Sequence, residues 1–115
     1  MVIALVAGEA SGDQLGAALI RAIRESQPDA RFAGIGGPLM DAEGMDCWWP
    51  TDQLSVMGLA EVISHLPRLF KLRRQLVERL VDLRPDVFVG IDAPDFNLGL
   101  EKRLKARKIP VIHYV

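Results

Sequence analysis

Asp92 follows directly on the apolar run Val87-Phe88-Val89-Gly90-Ile91. A carboxylate at the end of a buried strand loses part of its hydration, which makes it a better proton acceptor. The competing reading is an aspartate that caps the next helix or braces its loop. A second polar loop, Gly8-Glu9-Ala10-Ser11-Gly12-Asp13, follows the first apolar run. Glycines ahead of a helix N-terminus can cradle phosphate. This loop, however, is neither G-x-G-x-x-G nor a P-loop with its Gly-Lys-Ser/Thr, and Glu9 would repel a phosphate. A carboxylate suits sugar hydroxyls better, since it accepts their hydrogen bonds. A loop that merely turns the chain is the plain alternative. Gly36-Gly37 makes a third such loop, while Asp95 and Asn97 read as caps of the helix that follows Asp92. Neither His65 nor His113 has a motif around it, and His113, within a terminal strand, reads as structural or as the support of a neighbouring residue rather than as a ligand. Cys47 reads as a small buried hydrophobe.

A different chemistry attaches to the segment after Met57. Leu59, Val62, Ile63, Leu66, Leu69 and Phe70 recur at helical spacing, accompanied by Arg68, Lys71, Arg73 and Arg74, with no acid between Glu61 and Glu78. Such a basic amphipathic segment can lie in a bilayer interface, its cations on anionic headgroups. Taken alone it fits better a helix pair packed on a sheet, its arginines solvated.

The elements that must position these groups follow from periodicity. Val2 to Ala7 is continuously apolar, the pattern of a strand buried on both faces of a parallel sheet. Ser11 with Gln14 forms a capping box that predicts a helix start at Ser11, with Leu15, Ala18, Leu19, Ala22 and Ile23 as its buried stripe. Gln27-Pro28 ends that helix. Arg31–Ile35 reads as a strand, Pro38 to Gly44 as a short helix with its cap, and Met45–Trp49 as a short strand. Helical pattern runs from Met57 to Arg84, and Pro67 is expected to open a second helix rather than to sit inside one. Asp86–Ile91, Pro94–Arg107 and Pro110–Val115 read as strand, helix and strand. Strand and helix alternate without a hairpin signal, so the expected fold class is α/β, a doubly wound parallel sheet. In such a sheet, ligands bind outside the carboxyl ends of the strands, where all three polar loops fall.

Bulk composition sets the outer limits. The 115 residues make one domain at most, half of them hydrophobic and a quarter charged, which supports a packed core. A net charge of -1 argues against bulk attraction to nucleic acid. One cysteine excludes an internal disulfide framework. No basic region precedes the apolar N-terminus, and no run reaches the ~18 apolar residues of a membrane span. A cytoplasmic or membrane-surface protein is therefore expected. The chain also stops on an apolar strand, which suggests a piece of a longer protein.

Together the segments resemble the lipid-A-disaccharide synthase family. The resemblance is carried by Ala4-Leu5-Val6-Ala7-Gly8-Glu9-Ala10-Ser11-Gly12-Asp13, by Gly36-Gly37-Pro38-Leu39-Met40 and by Leu54-Ser55-Val56-Met57-Gly58-Leu59-Ala60-Glu61-Val62. Arg84 through Asn97 and His113-Tyr114-Val115 complete it. It implies that residues 1–115 are an N-terminal, Rossmann-like, acceptor-side domain, part of the first half of a GT-B glycosyltransferase. It further implies an inverting, metal-free and cofactor-free transfer that joins UDP-2,3-diacylglucosamine to 2,3-diacylglucosamine 1-phosphate, releasing UDP. Asp92 would be the general base on the acceptor hydroxyl. Glu9, Ser11, Gly12, Met57 and Asn97 would line the substrate pocket. The apolar and basic residues after Met57 become candidates for acyl-chain or membrane contact, in place of the packed helix pair that periodicity alone favours. The implied partners are acylated glucosamines and the anionic cytoplasmic surface of the inner membrane, with no nucleic acid and with homo-oligomerisation left open. UDP recognition would belong mainly to the second half, so this chain by itself is expected not to turn over.

Two other readings stay open on sequence. One is a related GT-B transferase acting on another lipid-linked sugar. The other is a nucleotide-binding or receiver-like module, in which Asp92, Asp95 and Glu9 would hold a metal.

Overall fold

The computed structural model describes residues 1–8, 10–49, 59–91 and 94–114; for 59–66, 69 and 94–96 it describes the helical backbone alone. The first apolar run forms β1 (Val2–Ala7), whose last five residues are buried. Four more strands join it: β2 (Arg31–Ile35), β3 (Asp46–Trp49), β4 (Val87–Ile91) and β5 (Val111–Tyr114). Their order is β3-β2-β1-β4-β5, and every pairing is parallel. The crossovers are α1 (Ala10–Ser26), α2 (Pro38–Ala42), α3 (Leu59–Leu83) and α4 (Pro94–Ala106).

Residues of β1 alternate between two cores, which is why the run has no polar break. Ile3, Leu5 and Ala7 pack with Ala17 and Ile20 of α1 and Met40 of α2. Ala4 and Val6 face the other way, onto Leu76 and Leu80 of α3 and Leu100 and Leu104 of α4. Helices thus cover both faces, as expected of a doubly wound sheet.

Helix ends follow their local chemistry. Pro38 occupies the first turn of α2, and Gly44, at φ 89°, lies just beyond its end. Arg84 and Lys108 take left-handed φ values of 53° and 63° after α3 and α4, a C-terminal conformation usually left to glycine. Three expectations need correction. The buried face of α1 is Gly12, Asp13, Gly16, Ala17 and Ile20, whereas Ala18 and Ala22 are exposed and Leu15, Leu19 and Ile23 only half-buried. The helix turns its smallest residues to the sheet, where a Cβ at Gly16 would meet Met40 and Ile91. α1 begins at Ala10, so Ser11 lies within its first turn and does not cap it. α3 is one helix of 25 residues with Pro67 inside it, not two helices. Proline there cannot donate to the Ile63 carbonyl, a local cost. Beyond it Leu72, Leu76 and Leu80 are buried four residues apart, and that packing holds the helix to its axis.

Candidate functional site

Because every strand is parallel, the loops after β1, β2 and β4 emerge at one edge of the sheet. β1 lies between β2 and β4, and the strand order reverses direction between β1 and β4. Such a reversal leaves a crevice at the carboxyl edge, the usual ligand position in this architecture. Ala7 and Ile91 are register partners, so the segments carrying Glu9 and Asp92 start from neighbouring strand ends. Glu9, Met57, Asp92 and Asp95 themselves lie outside the described residues or side chains.

The described residues show how this edge is braced. Gly12 is buried where α1 meets the crevice. A Cβ there would come within 3.3 Å of the Ala7 Cβ and 3.4 Å of Ile91, so glycine lets the helix start lie flat on both strands. Ser11, one residue earlier, is exposed. Asn97 is fully buried, and its amide nitrogen donates to the carbonyls of Val6 and Ile91, both at 3.3 Å. It is the fourth residue of α4 and ties the ends of β1 and β4 together, which is not the capping role its sequence position suggests.

Nothing in the local sequence singles out Asp13. It is 3% exposed, and its carboxylate accepts three backbone hydrogen bonds at the start of α2. Gly37 and Met40 donate to Oδ1 at 3.0 and 2.9 Å, and Leu39 donates to Oδ2 at 2.9 Å. Gly37 is the N-cap of α2 and has no side chain to satisfy those groups. Asp13 does so from another helix, joining the β1 loop to the Gly36-Gly37 loop. The available signal is a helix start at Gly-Gly-Pro with no capping oxygen of its own.

A second polar pair lies beneath α4. His113 on β5 is 2.9 Å from Glu101 through Nδ1, and Glu101 is 6% exposed. Gly90, the register partner of His113, leaves room for that carboxylate: a Cβ there would be 2.8 Å from Glu101 Oε2.

On the amphipathic segment the structure separates two faces. Leu72, Leu76 and Leu80 are core, whereas Phe70 is 51% exposed and Arg68, Lys71 and Arg74 are exposed. Arg73 is half-buried, with its guanidinium 5.3 Å from the Phe70 ring centre and against Gly99 of α4. Burial pushes its pKa down, and Arg103 nearby adds to the effect. The side chains of Leu59, Val62, Ile63, Leu66 and Leu69 lie outside the described set. Among the described residues no helix is long and apolar enough to cross a membrane. No group of three or more His, Cys, Asp or Glu among them could hold a metal ion.

Comparison with known proteins adds a whole-chain match. The family model described as lipid-A-disaccharide synthetase matches residues 3–115. The chain is 61% identical to the lipid-A-disaccharide synthase of Serratia proteamaculans, over all 115 of its residues and 30% of that protein. It is 63% identical to that of Alkalilimnicola ehrlichii over 30% of its length. The corresponding protein of Yersinia pestis is 59% identical over 29% of its length. The chain thus spans less than a third of the relatives it matches.

Proposed function

The chain belongs to the lipid-A-disaccharide synthetase family, and from that membership we propose that it is the acceptor-side part of an inverting glycosyltransferase. The reaction joins UDP-2,3-diacylglucosamine to 2,3-diacylglucosamine 1-phosphate, giving the β-1,6-linked disaccharide 1-phosphate and UDP. One observation carries the reading beyond the family name. The acids at positions 9 and 92 follow the ends of adjacent parallel strands at the point where the sheet order reverses.

Asp92 is assigned as the base. It takes the proton from the acceptor 6-hydroxyl while that oxygen attacks the anomeric carbon, and UDP leaves with the electron pair of the broken bond. Glu9 and Ser11 hold sugar hydroxyls, and Met57 lines the pocket. Gly12 and Asn97 serve the same pocket from behind, by fixing the strand ends beneath it. Leu59, Val62, Ile63, Leu66, Leu69 and Phe70 meet acyl chains or the bilayer. Arg68, Lys71, Arg73 and Arg74 meet anionic headgroups, worth about 1 kcal/mol each near such a surface. The site of action is the cytoplasmic surface of the inner membrane.

The test is disaccharide synthesis by a chimera in which residues 1–115 replace the matching part of the Serratia proteamaculans protein. Asp92→Asn should lower kcat about a hundred- to ten-thousand-fold, the usual contribution of a general base. Equal rates for the two proteins would move the base elsewhere. No product from a folded chimera would reject the reaction.

A further inference from the structure

The Glu101–His113 pair is unused by the chemistry above, and its construction is unusual for a packing element. Glu101 is 6% exposed beneath α4, and Gly90 omits a side chain so that its carboxylate fits. Burying a carboxylate is costly unless a hydrogen bond satisfies it, and His113 supplies that bond. The pair lies beside the crevice: His113 is next to last in β5, and its register partner Gly90 is two residues before Asp92 in sequence.

We infer that His113 is a substrate-contacting residue, its ring fixed by Glu101 so that Nε2 accepts a hydrogen bond from a sugar hydroxyl. The carboxylate can only accept, so Nδ1 carries the proton donated at 2.9 Å. In the neutral ring that leaves the lone pair on Nε2. Within residues 1–115 a quarter of the His113 side-chain surface stays open, against 8% for Glu101. Glu101 is then a positioning residue, holding tautomer and ring plane. Ser11, exposed in the first turn of α1, and His113 at β5 would bracket the crevice from its two sides. The inference rests on the reading of this edge as a sugar site.

Three amide substitutions separate contact from packing. His113→Asn keeps an N–H where Nδ1 stood, so it still donates to Glu101, but it has nothing at the Nε2 position. In the chimera this variant should keep its Tm while KM for the acylated glucosamine acceptor rises about tenfold, the usual loss for one neutral hydrogen bond. His113→Gln, which places an amide oxygen near the Nε2 position, should recover part of that loss. Glu101→Gln frees the ring to exchange tautomers and should raise KM about threefold, an effect smaller than loss of the contact itself. Wild-type KM and kcat in His113→Asn would overturn the inference, as would a loss that follows Tm alone.

If the unsubstituted chimera makes no product, the proposed reaction fails, and the inference is decided on the 115-residue chain instead. Ring-nitrogen NMR should place the His113 proton on Nδ1, and glucosamine 1-phosphate should move the Nε2 resonance. An Nε2 resonance unmoved by that ligand would remove the contact.

Discussion

Asp13 works by charge and shape together. Its two oxygens satisfy three backbone N–H groups, and hydrogen bonds to a carboxylate are among the stronger ones in proteins. Asp13→Asn keeps the volume but turns an NH2 toward those donors. It should cost about 2–3 kcal/mol in urea denaturation of the chain, the range for disrupting a buried charged hydrogen-bond set. A cost below about 0.5 kcal/mol, the scale of an ordinary surface change, would mean the α2 start does not depend on it. Cys47 gives a second residue-scale expectation. Burial raises its pKa, and Asp41, Asp13 and Asp46 raise it further, outweighing a hydrogen bond from the Gly36 backbone that lowers it. The thiolate is the reactive form, so alkylation by iodoacetamide should be slower than for a free thiol at neutral pH and should accelerate as pH rises. A rate equal to that of free cysteine at neutral pH would contradict this placement. Neither Asp13 nor Glu101 is legible as a functional element in sequence, since each satisfies groups more than ten positions away and no local pattern records such a partner.

At the scale of elements, α3 carries two jobs on two faces. Leu76 is fully buried, and Leu76→Ala should cost about 2–5 kcal/mol in denaturant midpoint studies. Phe70 is 51% exposed, so Phe70→Ser should leave stability nearly unchanged. It should instead weaken binding of the chain to vesicles containing an anionic phospholipid, read by co-sedimentation. Loss of folding in Phe70→Ser would assign that ring to the core. The same helix sets a limit on what local sequence can tell. Its apolar spacing is plain, but the rule that proline opens helices favours a break at Pro67. The break is absent because one lost hydrogen bond is outweighed by the continuous stripe beyond it. Strands are easier to read: β1 and β4 are uninterrupted apolar runs, and only burial on both faces of a parallel sheet requires that. β3 is fastened from outside itself, with the Arg79 guanidinium 4.3 Å from the centre of the Trp48 ring. That contact joins the sheet edge to α3 and has no signature in either segment alone.

Across the whole molecule, the two faces of β5 differ. Val111 and His113 face α4, while Ile112 (55% exposed) and Tyr114 (38%) share the face of Val89 and Ile91. Apolar groups on an edge strand invite association with another surface. Ile112→Lys should therefore reduce self-association of the isolated chain, measured as the concentration dependence of its sedimentation coefficient. An unchanged dependence would place the association elsewhere.

The central position of β1 also bears on how the chain is made. One side of β1 pairs with β2, within the first 35 residues, but its other side waits for β4. The Val2 amide is held by the Asp86 carboxylate, 84 positions along. During synthesis, β1, α1, β2, α2 and β3 reach the ribosome exit well before the strand that closes the centre of the sheet. The nascent chain therefore carries its most apolar strand with one edge bare until β4 is made. Contacts of such long range also slow the final closure. A holdase at the exit tunnel would find its natural target there, and the interval ends only when residues 87–91 emerge and dock.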